Sequence, residues 1–123
     1  MSELIDKADK FVFNLFKESL PNTFLYHNYT HTKRVLKSAQ EIIENITISE
    51  KDAEIVQLAA LLHDTGYTTT RDDHEEEGVK IATSFLESQN VPNDTIEAVA
   101  DCILSTKFKN QPHSDLGRIL RDA

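Results

Sequence analysis

The chain has 123 residues, which suits one domain with a single core and leaves no room for a second domain of ordinary size. Its 13 basic and 21 acidic residues give a formal net charge of −8 at pH 7, which argues against binding to a nucleic-acid polymer. The single cysteine, Cys102, excludes an internal disulfide and suits a reducing compartment.

The first residues lack the uninterrupted apolar region of a signal peptide. No apolar stretch approaches the roughly 18 residues that a membrane-spanning helix needs. We therefore expect a cytoplasmic protein, with no membrane contact from this portion of the chain.

Apolar residues recur at helical spacing along most of the chain, and only three glycines and three prolines interrupt it. One apolar stripe runs from Ile5 to Leu20 and stops before Pro21. A polar and aromatic loop is expected next. A second helix should then begin at His31, with an apolar stripe from Val35 to Ile46.

A third helix is predicted to begin after Ser49, because Ser49 followed by Asp52 resembles a capping box. Gly66 can adopt a positive φ, so it is expected to end this helix just past His63 and Asp64.

Three further helices follow a loop. The fourth runs from about His74 through Leu86, Pro92 and Asn93 introduce the fifth, and Ser114 is placed to cap the sixth. No period-two alternation indicates a strand. The sequence therefore predicts an all-α fold, a bundle of about six helices in one domain over residues 1–123.

The strongest candidate for chemistry is the pair His63 and Asp64, which ends the apolar run of LAALLHDTGY. Helical geometry turns His63 toward the line of Val56 and therefore into the core. A buried carboxylate is costly unless it is paired or binds a cation. The pair is consistent with a metal site and also with a structural His–Asp hydrogen bond at a helix end.

A second candidate is His31, which shares a helix face with Val35 and Ile42. A neutral imidazole is a good ligand for a divalent transition metal, although His31 also fits a core histidine bonded to backbone. His27 and Asn28, just before it, are candidates to contact substrate or to orient a ligand. His27 also fits an ordinary surface residue.

A third candidate is His74, on the same helix side as Gly78, whose missing side chain would let another backbone approach closely. Acidic residues surround His74 near the helix N-terminus, where carboxylates favourably meet the helix dipole. We expect them to form a solvated acidic face, and we assign only His74 to the site. The acidic residues expected on this solvated face are Asp72, Asp73 and Glu75 to Glu77.

The order of His31 and then His63-Asp64 within AALLHDTGY resembles the HD superfamily of metal-dependent phosphohydrolases, over nearly the whole chain. The resemblance implies that His31, His63 and Asp64 bind a divalent metal, and that Asp64 is catalytic. His74 resembles a further histidine that supports a second metal or the phosphate. The family's last Asp ligand would come directly after Ala123, so the resemblance implies that this is the N-terminal part of a longer chain.

The same resemblance implies a reaction. A divalent transition metal (Mn, Fe, Ni, Co or Zn) would polarise a phosphoryl oxygen and lower the pKa of water, so that hydroxide attacks phosphorus. Arg34, three positions after His31, is the best candidate to stabilise the developing charge. The expected substrate is a phosphorylated small molecule, either a nucleotide or another phosphate ester. The alternative is a non-catalytic HD-fold regulatory module that binds a nucleotide or a protein partner.

Overall fold

The computed structural model describes residues 3–70, 72–107 and 115–123. Within these ranges the chain forms six α-helices and a short 3-10 helix, and it forms no strand, so the predicted all-α fold is confirmed. The α-helices are α1 (Glu3–Ser19), α2 (Asn22–Glu44), α3 (Glu50–Leu62), α4 (His74–Ser88), α5 (Asn93–Leu104) and α6 (Asp115–Asp122). The 3-10 helix, Thr65–Thr68, follows α3.

Helix α3 lies at the centre of the fold and packs against α1, α2, α5 and α6. Each fully buried leucine contributes about 1.5–3 kcal/mol relative to an exposed one, so the position of α3 is strongly determined. The residues that follow α3 are therefore held rigidly. Its buried residues are Ile55, Val56, Leu58, Ala59, Ala60, Leu61 and Leu62.

The predicted loop after Pro21 is wrong, because α2 begins directly after this proline. His31 consequently lies inside α2 rather than at its start. The buried face of α2 extends to the N-terminal side of the predicted stripe, and a threonine interrupts its apolar character. That face includes Leu25, Thr32, Leu36 and Ala39.

The starts of the later helices agree with the sequence. The Ser49 hydroxyl accepts a hydrogen bond from the Asp52 backbone N–H at 3.1 Å and so caps α3. Helix α4 begins at His74, and α5 follows Pro92. The predicted cap Ser114 lies outside the described residues.

Gly66 does not have the positive φ expected of it, since no described glycine does. The chain leaves α3 through the 3-10 helix instead, and Gly66 is required there for space. A Cβ at position 66 would lie 1.8 Å from the His74 carbonyl oxygen and 2.7 Å from the Gly78 nitrogen. This close approach brings the start of α4 against the end of α3.

Among the described helices, none combines the length with the apolar character that a membrane crossing requires.

Candidate metal centre

The end of α3 places two consecutive polar side chains in the interior, as the sequence predicts for His63. His63 and Asp64 are both buried, with the His63 Nε2 atom 3.1 Å from Asp64 Oδ2. Neighbouring residues of a continuous helix point in directions about 100° apart. His63, the C-cap of α3, still has α-helical φ and ψ, and its ring nevertheless meets the carboxylate of Asp64.

The other ring nitrogen of His63 fixes how the imidazole is turned. Nδ1 lies 2.6 Å from the Ala60 carbonyl oxygen, which can only accept a hydrogen bond, so Nδ1 carries a proton. Nε2 is therefore the atom that faces Asp64. Metal-binding histidines typically donate their second N–H to a carbonyl or carboxylate in this way.

The electrostatics of this pair follow from burial and mutual contact. Burial alone lowers the pKa of His63, but the hydrogen bond and charge of Asp64 outweigh it and raise that pKa above its ordinary value of 6.5. Burial likewise raises the pKa of Asp64. The hydrogen bond from His63 and the charges of His63, His31 and His74 reverse that effect, so the pKa falls below 3.8.

His31 reaches the same carboxylate from α2. Its Nε2 lies 3.2 Å from Asp64 Oδ2, and its side chain is 52% exposed. The ligand atoms of His31, His63 and Asp64 all lie within 4.8 Å of one another. The structure thus brings together one side chain from α2 and two from the residues that follow α3, and we call them the His–His–Asp cluster.

His74, at the start of α4, completes the surroundings of Asp64. Its Nε2 lies 3.6 Å from Asp64 Oδ1 and 3.2 Å from Glu75 Oε2. Glu75 is buried, which corrects the expectation that it belongs to a solvated acidic face. Sequence reasoning missed Glu75 because nothing in the run of acidic residues distinguishes it.

These groups line a cavity of about 440 Å³, which also includes Thr106, two residues past the end of α5, and Arg121 from α6. Arg121 is the only Lys or Arg of the described chain in this lining, and no sequence pattern distinguishes it from the other basic residues. Arg34, the predicted cation, is exposed and does not line the cavity. It is turned about 60° from His31 around α2, whereas Val35, about 40° away, does line the cavity.

His27 and Asn28 lie outside this cavity and line a neighbouring cleft with Tyr67. Tyr67 lines both spaces, and its ring stacks on that of His74 with centroids 3.8 Å apart.

The donor set of the His–His–Asp cluster fits a divalent transition ion. Two imidazole nitrogens and a carboxylate oxygen suit Mn, Fe, Co, Ni and Zn, and they suit Mg or Ca less well.

The fold and the site define a small all-α domain with a candidate metal centre, the His–His–Asp cluster, at the end of its central helix. The HD domain family matches residues 28–123, and the chain belongs to this family. HD domains bind divalent metals, and most are metal-dependent hydrolases, although some are non-catalytic. Neither the curated proteins nor the solved structures contain a match to the chain.

Proposed function

We propose that the protein is a metal-dependent phosphohydrolase that acts on a nucleotide or another phosphate ester. The observation that carries this proposal is the convergence of His31, His63 and Asp64, whose ligand atoms lie within 4.8 Å of one another. A purely structural His–Asp hydrogen bond needs one histidine. Asp64 has imidazole nitrogens at 3.1, 3.2 and 3.6 Å, which favours a site for an ion.

In this proposal His31 and His63 bind the metal through Nε2, and Asp64 binds it through a carboxylate oxygen. The Ala60 carbonyl holds the His63 ring in the orientation that this requires. A divalent ion at this position supplies a Lewis acid for the phosphoryl oxygen and lowers the pKa of water.

In this proposal, Glu75 and His74 take part in removing a proton from the attacking water. Glu75 is buried at the cavity wall, and His74 Nε2 lies 3.2 Å from its Oε2. We assign Glu75 as the general base, which takes a proton from water as the new oxygen–phosphorus bond forms. The bond to the leaving oxygen breaks, and solvent supplies the proton of the released alcohol. His74 orients the carboxylate.

Arg121 supports binding of the anionic substrate. It lines the cavity, and a guanidinium can donate two parallel hydrogen bonds to phosphoryl oxygens. Because the cavity also contains Asp64 and Glu75, a phosphate needs a cation there to offset their negative charge.

The test uses the full chain, stripped with a chelator and reloaded with Mn²⁺. Phosphate release from p-nitrophenyl phosphate and from nucleoside monophosphates should depend on the added metal. If calorimetry detects metal binding but no ester is hydrolysed, the result would instead support the non-catalytic regulatory module. Failure to bind any divalent ion would refute both.

A further inference from the structure

Three large apolar side chains stand out at the surface of the described chain. They are Phe24, Ile46 and Tyr67, with 53%, 44% and 40% of their areas exposed. Phe24 and Tyr67 line the same cleft of about 320 Å³, together with Leu20, His27 and Asn28. We call this space the aromatic cleft.

The aromatic cleft adjoins the cavity of the His–His–Asp cluster. Tyr67 lines both spaces, so its ring forms their common wall. The ring lies flat on His74, with an angle of 15° between the two planes, and this contact fixes Tyr67 relative to the cluster. A ligand with one end at the cluster can therefore place its other end in the aromatic cleft.

The polar side chains of the aromatic cleft, His27 and Asn28, are suited to hydrogen bonding. The Asn28 amide N–H donates to the Phe24 carbonyl oxygen at 2.8 Å, which fixes the side-chain amide. The Asn28 side chain makes no other hydrogen bond with the described residues, so its Oδ1 is available as an acceptor. Among the described residues, none of those that line the cleft is a Lys, Arg, Asp or Glu, which favours an uncharged ring over a phosphate at this end.

We propose that the aromatic cleft binds the nucleobase of a nucleoside phosphate whose phosphoryl group lies at the His–His–Asp cluster. The inference rests on the proposed function and names its substrate class. Phe24 and Tyr67 offer aromatic faces on which a base stacks, and the Asn28 amide oxygen accepts from a ring or exocyclic N–H. A phosphate ester without a base would leave the aromatic cleft unfilled.

The experiment compares the wild-type full chain with Phe24→Ala, Phe24→Leu and Ile46→Ala. Ile46→Ala is the matched control, because Ile46 is similarly exposed but lies outside the aromatic cleft. Phe24→Leu keeps apolar volume and removes only the aromatic ring. Circular dichroism checks that each variant retains its helices.

Two measurements are made on each protein. The first is the kcat/KM ratio of adenosine 5′-monophosphate to ribose 5-phosphate, both with Mn²⁺, since these esters differ by the base. The second is the dissociation constant of adenosine for the metal-free protein, measured by NMR titration. Both Phe24 variants should lower the ratio and weaken adenosine binding by about tenfold, whereas Ile46→Ala should change neither.

The outcomes separate this inference from the proposed function. If both esters are hydrolysed with equal kcat/KM and the Phe24 variants do not change the ratio, the base-binding role is overturned and the hydrolase stands. If no ester is hydrolysed but Phe24 variants weaken adenosine binding, the aromatic cleft binds a base and the hydrolase proposal fails. Adenosine binding that Phe24→Leu leaves unchanged would overturn the stacking role.

Discussion

His63 Nε2 lies 3.1 Å from Asp64 Oδ2, and these two consecutive residues come directly after Leu62, the last residue of α3. This contact joins a histidine of raised pKa to an aspartate of lowered pKa in a buried setting. It therefore links the stability of the metal-free protein to pH, as well as forming part of the proposed metal site.

The first prediction is that the metal-free protein loses stability as the pH rises above 6.5. Because folding raises the pKa of His63 from 6.5, its stabilisation is complete below that pH. This stabilisation is lost as the pH rises through the pKa that His63 has in the folded protein. The lowered pKa of Asp64 acts in the opposite direction. The stabilisation from Asp64 is present above pH 3.8, and it is lost as the pH falls through the lowered pKa of Asp64 in the folded protein.

The measurement is the melting temperature in a chelator at several values between about pH 5 and about pH 9. His63→Gln should flatten the decline on the alkaline side, while His27→Gln, at an exposed histidine, should preserve it. An identical decline in His63→Gln and wild type would contradict the pKa assignment.

The second prediction concerns His31→Ala, which should lose metal binding and hydrolysis while keeping the fold. The side chain is half exposed, so its removal should change the free energy of unfolding by less than about 0.5 kcal/mol. Loss of one of three ligands should weaken metal binding by about 100-fold or more. Even mutation of a residue that only hydrogen-bonds to a metal ligand typically lowers the metal affinity by about 10–100-fold. Calorimetry with Mn²⁺ measures the affinity.

Thr30→Ala is the matched control for His31→Ala, because Thr30 is an exposed neighbour on α2. It should bind Mn²⁺ as the wild type does. Full activity in His31→Ala after metal is restored would remove His31 from the ligand set, whereas global unfolding would identify it as a structural residue.

The sequence was most informative where a local pattern and the tertiary arrangement agree. The apolar face of α3 and the inward direction of His63 both follow from helical spacing. His31 was assigned to the correct face even though its helix begins nine residues earlier, because the angle from His31 to Val35 does not depend on where α2 starts.

Glu75 could not be predicted because its burial is a tertiary effect. Glu75, Glu76 and Glu77 are identical in type and adjacent in sequence. Only Glu75 is buried, since α4 docks against the end of α3 at Gly66. The same limit applies to Arg121, whose place in the cavity depends on how α6 packs against α3.

The third prediction tests Glu75 as the general base. Glu75→Gln keeps the shape of the side chain and removes its ability to take a proton, so kcat should fall by about 100-fold or more. Glu77→Gln is the control from the same helix turn, where Glu77 pairs with Lys80 instead. Its kcat should be that of the wild type.

Mn²⁺ affinity distinguishes the proposed role of Glu75 from that of a ligand. Glu75→Gln should retain the affinity of the wild type, since Glu75 lies outside the His–His–Asp cluster. A large loss of affinity would make it a metal ligand, and an unchanged kcat would remove it from the mechanism.

The fourth prediction contrasts two buried threonines. Thr32 Oγ1 is buried without a hydrogen-bond partner among the described residues, so Thr32→Val should be neutral or should stabilise the fold by up to about 1 kcal/mol. Thr65 is equally buried, but its hydroxyl donates to the Leu62 carbonyl oxygen at 2.7 Å. Thr65→Val should therefore cost about 1 kcal/mol or more. Urea unfolding measures both, and an equal loss in the two variants would show that Thr32 also has a partner.

The last prediction concerns the two glycines where α3, the 3-10 helix and α4 meet. A Cβ at position 66 would lie 1.8 Å from the His74 carbonyl oxygen, and backbone atoms cannot rotate away. Gly66→Ala should therefore cost about 3 kcal/mol or more, and it should weaken Mn²⁺ binding because α4 must move away from Asp64.

At Gly78 the nearest atom, the His63 carbonyl oxygen, would lie at 3.4 Å, an ordinary contact. Because Gly78 is inside a helix, Gly78→Ala should be neutral or should stabilise the fold by up to about 1 kcal/mol. Urea unfolding and Mn²⁺ calorimetry on both variants test this contrast, and a Gly66→Ala protein as stable as the wild type would show that α4 does not dock here.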